Sequence, residues 1–211
     1  MRLGRRLVVG SFRVLLRLLA HVEVRGGENL PAGGPLMVVF NHVHHIDAPL
    51  LMATLPWEVE ALGRAESLKV PITAELMRLY GVIALSQDQL DRQGLRRALE
   101  VLARGGVLLC SPEGRESPSG GLVEAQAGVA YLALKSGAPI LPVGLIGSES
   151  FVPALRRLRR ARLTVNVGAV FRPDGRLAHG VQRRAQLAAG SQQMMRHIAE
   201  LLPQRYRGIY G

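Results

Sequence analysis

The chain has 211 residues, 4% aromatic content, one cysteine and a formal net charge of +11. That length suits one substantial domain, alone or with an appendage, and the single Cys110 excludes an intrachain disulfide framework and fits a reducing, cytoplasmic setting. The cations are nearly all arginine, with only Lys69 and Lys135 as lysines, so anionic partners are expected; the few aromatics are poor material for stacking on single-stranded nucleic acid, and none is expected as a partner.

The first segment, "MRLGRRLVVGSFRVLLRLLAHV", predicts an amphipathic helix over residues 1–21. Arg2, Arg6, Arg13 and Arg17 fall on one stripe at spacings of four, seven and four. Leu7, Val8, Phe12, Val14, Leu15, Leu18 and Leu19 cover most of the rest. So wide an apolar arc suits a helix lying in a membrane interface with its arginines toward headgroups; the alternative is a helix packed on the domain with a solvated stripe. No segment reads as a cleavable signal or a spanning helix.

Residues 22–211 then alternate short apolar runs with helical periods. "PLMVVF" reads as a buried strand. "DAPLLMATL" reads as a helix with Asp47 as its cap and Pro49 in its first turn. "EVEALG" and "VIAL" are strands, and "TAELMRLY" between them is a helix stopped by Gly81. "LDRQGLRRALEVLARGG" is an amphipathic helix, "VLLC" a strand, and "SPEGRESPSGG" a loop. "LVEAQAGVAYLALKSG" is a helix. "PILPVGLI" is a strand whose Pro142 predicts an edge or bulged position. "LTVNVGAV" is the last strand and "RRAQLAAGSQQMMRHIAELL" the last helix. The expected class is α/β, a mainly parallel or mixed sheet flanked by helices, with the N-terminal helix as an appendage. The run "RRLRRAR" over residues 156–162 is either a solvated face or an anion site.

The stretch "NHVHHID" over residues 41–47 follows the first strand of this domain. Three readings compete. A metal site needs more ligands than it supplies: His21, His179 and His197 are isolated and Cys110 has no cysteine partner, so no metal is expected. A helix cap explains Asp47 but leaves unexplained why His42 sits at a strand end, where open α/β sheets bind ligands. In a His-Asp dyad, Asp47 accepts the Nδ1–H of His42 and leaves Nε2 facing substrate as general base, its two oxygens dividing between helix and imidazole.

The order Asn-His-x-x-x-x-Asp after a short strand resembles the first motif of the glycerolipid acyltransferases, of the 1-acyl-glycerol-3-phosphate acyltransferase type. "SPEGRES" at 111–117 resembles their Pro-Glu-Gly loop, and "APILPVGL", with Pro139, Pro142 and Val143, their Pro-x-x-Pro-Val strand. "VEVRGGENLPAGG" is similar to the segment before their first motif, so the likeness covers residues 20–150. Three positions depart from the pattern. Gln87 in "GVIALSQ" stands where the second motif ends in arginine. His44 replaces a serine. Arg115 directly follows Gly114, where the family's arginine comes one later.

The resemblance implies transfer of a fatty acyl group from acyl-CoA or acyl-carrier protein, a co-substrate and not a cofactor, to the hydroxyl of a lysophospholipid similar to lysophosphatidic acid. It makes His42 and Asp47 the catalytic pair, and Asn41, Gln87, Glu113, Gly114, Arg115 and Pro142 the substrate-binding residues. Arg115 presents a planar fork to phosphate, and Arg64, Arg92 and Arg96 are candidates to compensate for Gln87. The implied setting is the cytoplasmic face of the cell membrane, peripheral or monotopic, with membrane lipid as partner. Gln87 and His44 favour the alternative of an inactive acyltransferase fold that binds lipid or anions.

Overall fold

The computed structural model describes residues 2–86, 91–175, 177 and 180–211. The strands are β1 (Ala20–Arg25), β2 (Leu36–Phe40), β3 (Val59–Arg64), β4 (Ile83–Leu85), β5 (Val107–Cys110), β6 (Ile140–Ile146) and β7 (Ala161–Val167). The helices are α1 (Arg2–Leu19), α2 (Asp47–Thr54), α3 (Pro71–Tyr80), α4 (Arg92–Ala103), α5 (Ala127–Ser136), α6 (Phe151–Arg156) and α7 (Val181–Glu200). The strands form one sheet in the order β1-β7-β6-β2-β5-β3-β4. Every neighbouring pair is parallel except β6 with β7. The expected mixed α/β sheet is thus present, with the N-terminal helix in place.

Central strands are apolar throughout because both of their faces are covered: Leu36, Val38 and Phe40 of β2 enter one core, Met37 and Val39 the other. The first core lies under α1, α2 and α6, the second under α4, α5 and α7. Local signals set several helix ends. Asp91 caps α4 by accepting the Gly94 N–H at 2.8 Å. Pro71 opens α3, and Gly81 closes it at φ 81°, a left-handed conformation that costs glycine little.

Three features of the fold differ from the sequence expectation. The segment at 20–25 is a strand, β1, so a boundary drawn at residue 21 falls inside it. The helix expected from Leu122 begins only at Ala127. The preceding N–H groups are engaged elsewhere: Leu122 donates to the Tyr206 carbonyl, Val123 to Glu113 and Gln126 to the Pro112 carbonyl. Pro142 lies in an interior strand, so the edge position is incorrect and the bulge is the right half of that expectation. Val143 pairs with Val167 and Ile140 with Phe171, so four steps along one strand oppose three on β6. This extra residue is a bulge, and the missing N–H of Pro142 faces it and not β2.

The helix α1 packs on the domain by a stripe that includes Val8, Phe12, Leu16 and Leu19. Arg5 lies on this buried stripe, under the arginine row read from the sequence. It donates to Glu60 through Nη1 at 2.9 Å and to the Tyr80 carbonyl through Nε, and its guanidinium covers the Tyr80 ring at 5.2 Å. Arg13 donates to the Ala53 carbonyl at 2.8 Å, near the end of α2. Gly4 brings the backbones of α1 and α3 together, since a Cβ there would stand 3.0 Å from the Leu79 carbonyl oxygen. Leu3, Leu7, Val14 and Leu18 remain exposed on the outer side of α1. Among the described residues no helix is long and apolar enough to cross a membrane.

Candidate active site

His42 stands two residues past the end of β2, and the loop at 111–117 leaves the end of the adjacent β5. Both therefore meet at the C-terminal edge of the parallel sheet, where such folds place their ligands. Asn41 fixes the strand end. Its Nδ2 donates to the Leu145 carbonyl at 2.9 Å and its Oδ1 accepts the Leu145 N–H at 2.7 Å, extending the β2–β6 ladder with a side chain. Asn41 is fully buried with both ends of its amide bonded, so it positions His42 and does not face a ligand.

The chain turns back over 43–46, and Asp47 returns beneath His42. The His42 Nδ1 and Asp47 Oδ2 are 3.0 Å apart. The same Oδ2 accepts the N–H of Val43 at 2.8 Å and of His44 at 2.7 Å. Because the carboxylate can only accept, Nδ1 carries the hydrogen and Nε2 presents its lone pair. The expected division of labour between the two oxygens is not seen. Oδ2 makes all three bonds, none to the N–H groups of α2, and the buried Oδ1 has no hydrogen-bond partner among the described residues. Asp47 therefore ties the turn to the imidazole and does not cap its own helix. The His42 ring rests edge-on against Phe40, and 22% of its side chain is exposed.

Glu113 is the second buried support. Its Oε1 accepts the His42 N–H at 2.9 Å and its Oε2 the Val123 N–H at 3.1 Å, while Ser117 N–H donates to the His42 carbonyl at 2.7 Å. Burial pushes the Glu113 carboxyl up to about 7, against the pull of the two backbone donors. It braces the backbone of His42 and has no surface to offer a substrate. Gly114 turns the loop at φ 65° and Arg115 beyond it is exposed. Pro142 is buried in β6, in register with Val39 of β2. Gln87 lies outside the described residues. Of the proposed substitutes, Arg64 pairs with Glu66 at 3.3 Å and Arg96 with Glu100 at 3.0 Å.

The residue that faces Nε2 is one the sequence reading passed over. Glu116 Oε1 lies 3.8 Å from His42 Nε2 and pairs closely with His45 Nδ1. At 3.8 Å the two groups do not bond directly. Glu116 holds the position one past Arg115, where the resembled motif carries arginine, so the one-residue offset already marked it. Cys110 is buried and its thiol is pushed up to about 12 by desolvation, which makes it a poor nucleophile. Among the described residues no three or more His, Cys, Asp or Glu side chains are grouped to hold a metal ion. A cleft of about 580 Å³ beside Pro35, Lys135 and Pro139 opens at the opposite end of β2 and β6, away from His42.

A family model described as acyltransferase matches residues 21–146. The chain is similar to a chloroplastic 1-acyl-sn-glycerol-3-phosphate acyltransferase of Brassica napus, 28% identical over 62% of this chain and 39% of that protein. It is similar to the alpha form of the enzyme from Homo sapiens, 26% identical over 68% of this chain and 54% of that one. The chain thus spans about two fifths to three fifths of the curated relatives it matches. Among solved structures, the 1-acyl-sn-glycerophosphate acyltransferase PlsC of Thermotoga maritima shares the fold, with a TM-score of 0.63 and 23% identity over 90% of this chain and 79% of that one.

Proposed function

This chain belongs to the acyltransferase family, and from that premise we propose that it moves a fatty acyl group from a thioester to the free hydroxyl of a lysophospholipid. The observation that carries this reading is the pairing of His42 Nδ1 with Asp47 at 3.0 Å at the strand-end edge of the sheet, in a side chain that is partly exposed. His42 Nε2 takes the proton of the acceptor hydroxyl as its oxygen attacks the thioester carbonyl. The carbon–sulfur bond then breaks and the thiolate leaves, taking the proton back from the imidazolium. Asp47 holds the ring orientation and stabilises the imidazolium. The donor, acyl-CoA or acyl-carrier protein, is a co-substrate and no cofactor takes part. An intact dyad favours this over an inactive lipid-binding fold. The test is thiol release from acyl-CoA with a panel of lysolipids: transfer that depends on His42 supports the reading, and none with any acceptor sinks it.

A second reading concerns the headgroup. The names of the relatives suggest lysophosphatidic acid, whose phosphate monoester calls for several cationic donors. Here a carboxylate, Glu116, stands beside Nε2 at 3.8 Å, at the position where the resembled motif carries arginine. This favours an acceptor without a terminal phosphate monoester, such as a lysophosphodiester or glycolipid. Product mass spectrometry from mixed acceptors decides between them. The apolar outer side of α1, next to the exposed Ile72, Leu76 and Leu79 of α3, supports peripheral docking on a membrane, for which the expected side is the cytoplasmic face.

A further inference from the structure

The last residue of α6 and the loop to β7 read Arg156-Arg157-Leu158-Arg159-Arg160. It closes α6 as a Schellman turn: the Arg159 N–H donates to the Ala154 carbonyl and the Leu158 N–H to the Leu155 carbonyl, both at 2.9 Å. The left-handed position of this turn normally holds glycine, because an L side chain is crowded there. Leu158 occupies it at φ 54°, the one non-glycine residue at positive φ among those described. No internal contact compensates, since the residue is 97% exposed. A disfavoured backbone that presents an apolar side chain wholly to solvent has no explanation in the packing of this chain.

The flanking residues supply the explanation. Arg156, Arg157 and Arg159 are exposed, and among the described residues none makes an ion pair with a carboxylate. Arg157 and Arg159 line a shallow cleft of about 300 Å³ with Arg160 and Arg162. Arg160 also donates to the carbonyls of Arg17 and Ala20, fastening the loop to the C-terminal end of α1 beside the exposed Leu18. An apolar tip in a collar of unpaired guanidiniums matches a surface that is apolar within and anionic at its rim.

We propose that this loop is a second membrane contact, specific for anionic bilayers: Leu158 enters the acyl-chain boundary while Arg156, Arg157 and Arg159 bind the surrounding headgroup phosphates. The proposal rests on the reading that α1 and α3 dock on a bilayer, and adds a lipid preference to it. The test is cosedimentation of the full chain with vesicles of phosphatidylcholine, with or without phosphatidylglycerol. The parent binds the anionic vesicles more tightly. The variant R156Q/R157Q/R159Q loses that preference, with affinity for anionic vesicles down about tenfold or more. Leu158→Gly weakens binding to both vesicles without lowering the melting temperature, because glycine fits φ 54°. Equal binding of the parent to both vesicles overturns the loop proposal alone; binding to neither overturns the docking reading and the loop with it. Loss of oligonucleotide binding by the arginine variant, with vesicle binding unchanged, overturns the proposal in favour of nucleic acid.

Discussion

The two helical layers that sandwich the sheet treat water differently. The layer of α4, α5 and α7 has no large exposed hydrophobic side chain among the described residues. The layer of α1, α3 and α6, with the short segments that lead into α3 and out of α6, exposes Leu3, Leu7, Val14, Leu15, Leu18, Leu68, Val70, Ile72, Leu76, Leu79, Val152 and Leu158. Both layers bury an apolar face against the same sheet, so core packing does not explain the asymmetry. Apolar residues crowd the outside of this layer, whereas beside the other the segment beyond α7 exposes only Ile209 among its described residues, and this contrast suits the bilayer docking proposed above. The site at the C-terminal edge of the sheet adjoins α2, which packs on the same core as α1 and α6, so the proposed docking would bring a bilayer acceptor to the side of the sheet that carries it.

The largest expected effect separates chemistry from docking. His42→Ala should lower the acyl-transfer rate by about 10²- to 10⁴-fold, the usual cost of losing a general base, and leave vesicle binding unchanged. Equal turnover by variant and parent would remove the dyad from the mechanism. Next comes the layer itself. L7S/L18S/L76S should weaken vesicle binding by at least about tenfold, given roughly 1.5–3 kcal/mol for each leucine fully buried. Serines at the exposed Gln93 and Gln192 of the opposite layer should change nothing. Matching losses from both layers would break the comparison. Point variants are preferable to deleting residues 1–20, which would uncover the core beneath Leu16 and remove the Arg5 partner of Glu60.

A smaller effect concerns acceptor choice. Glu116→Gln should raise use of lysophosphatidic acid relative to an uncharged lysolipid by several-fold to about tenfold, since a partly exposed charge near a phosphate is worth about 1 kcal/mol. Gln87→Arg should act in the same direction if that position contacts the headgroup. An unchanged acceptor ratio in both variants would show that neither residue reads it. The smallest effect is the pH dependence of folding. The Glu113 carboxyl binds its proton more tightly in the folded chain, at about 7 against an ordinary 4.5. Its contribution is therefore complete below about pH 4.5 and is lost as pH rises through 7. Glu113→Gln should flatten the slope of stability over that window, although the amide loses one of two acceptors and lowers stability overall. A slope identical to the parent's, measured by denaturant titration at several pH values, would show that Glu113 does not titrate there.

The sequence by itself determined the α/β class and most strands and helices, and with the family resemblance it singled out His42 and Asp47. Those signals are short-range: a run of β-branched and apolar residues, a proline in a first turn, a glycine at a helix end, and a dyad whose partners are five residues apart. It also marked Leu158 and its arginines as a charge run, without saying what they face. Only the tertiary structure decided how the rest is used. Asn41 meets Leu145 and Glu113 meets the His42 backbone across 104 and 71 residues, so their structural roles lie outside any local pattern. The same holds for Leu122 and Val123, whose helical pattern yields to distant hydrogen-bond partners, and for β1, which becomes a strand by pairing with β7. Which apolar residues of α1 are buried, and which arginine goes under with them, depends on the rotation at which the helix seats on α2 and α3. A helical period sets the width of an apolar face; the surface it meets sets which part of that face is covered.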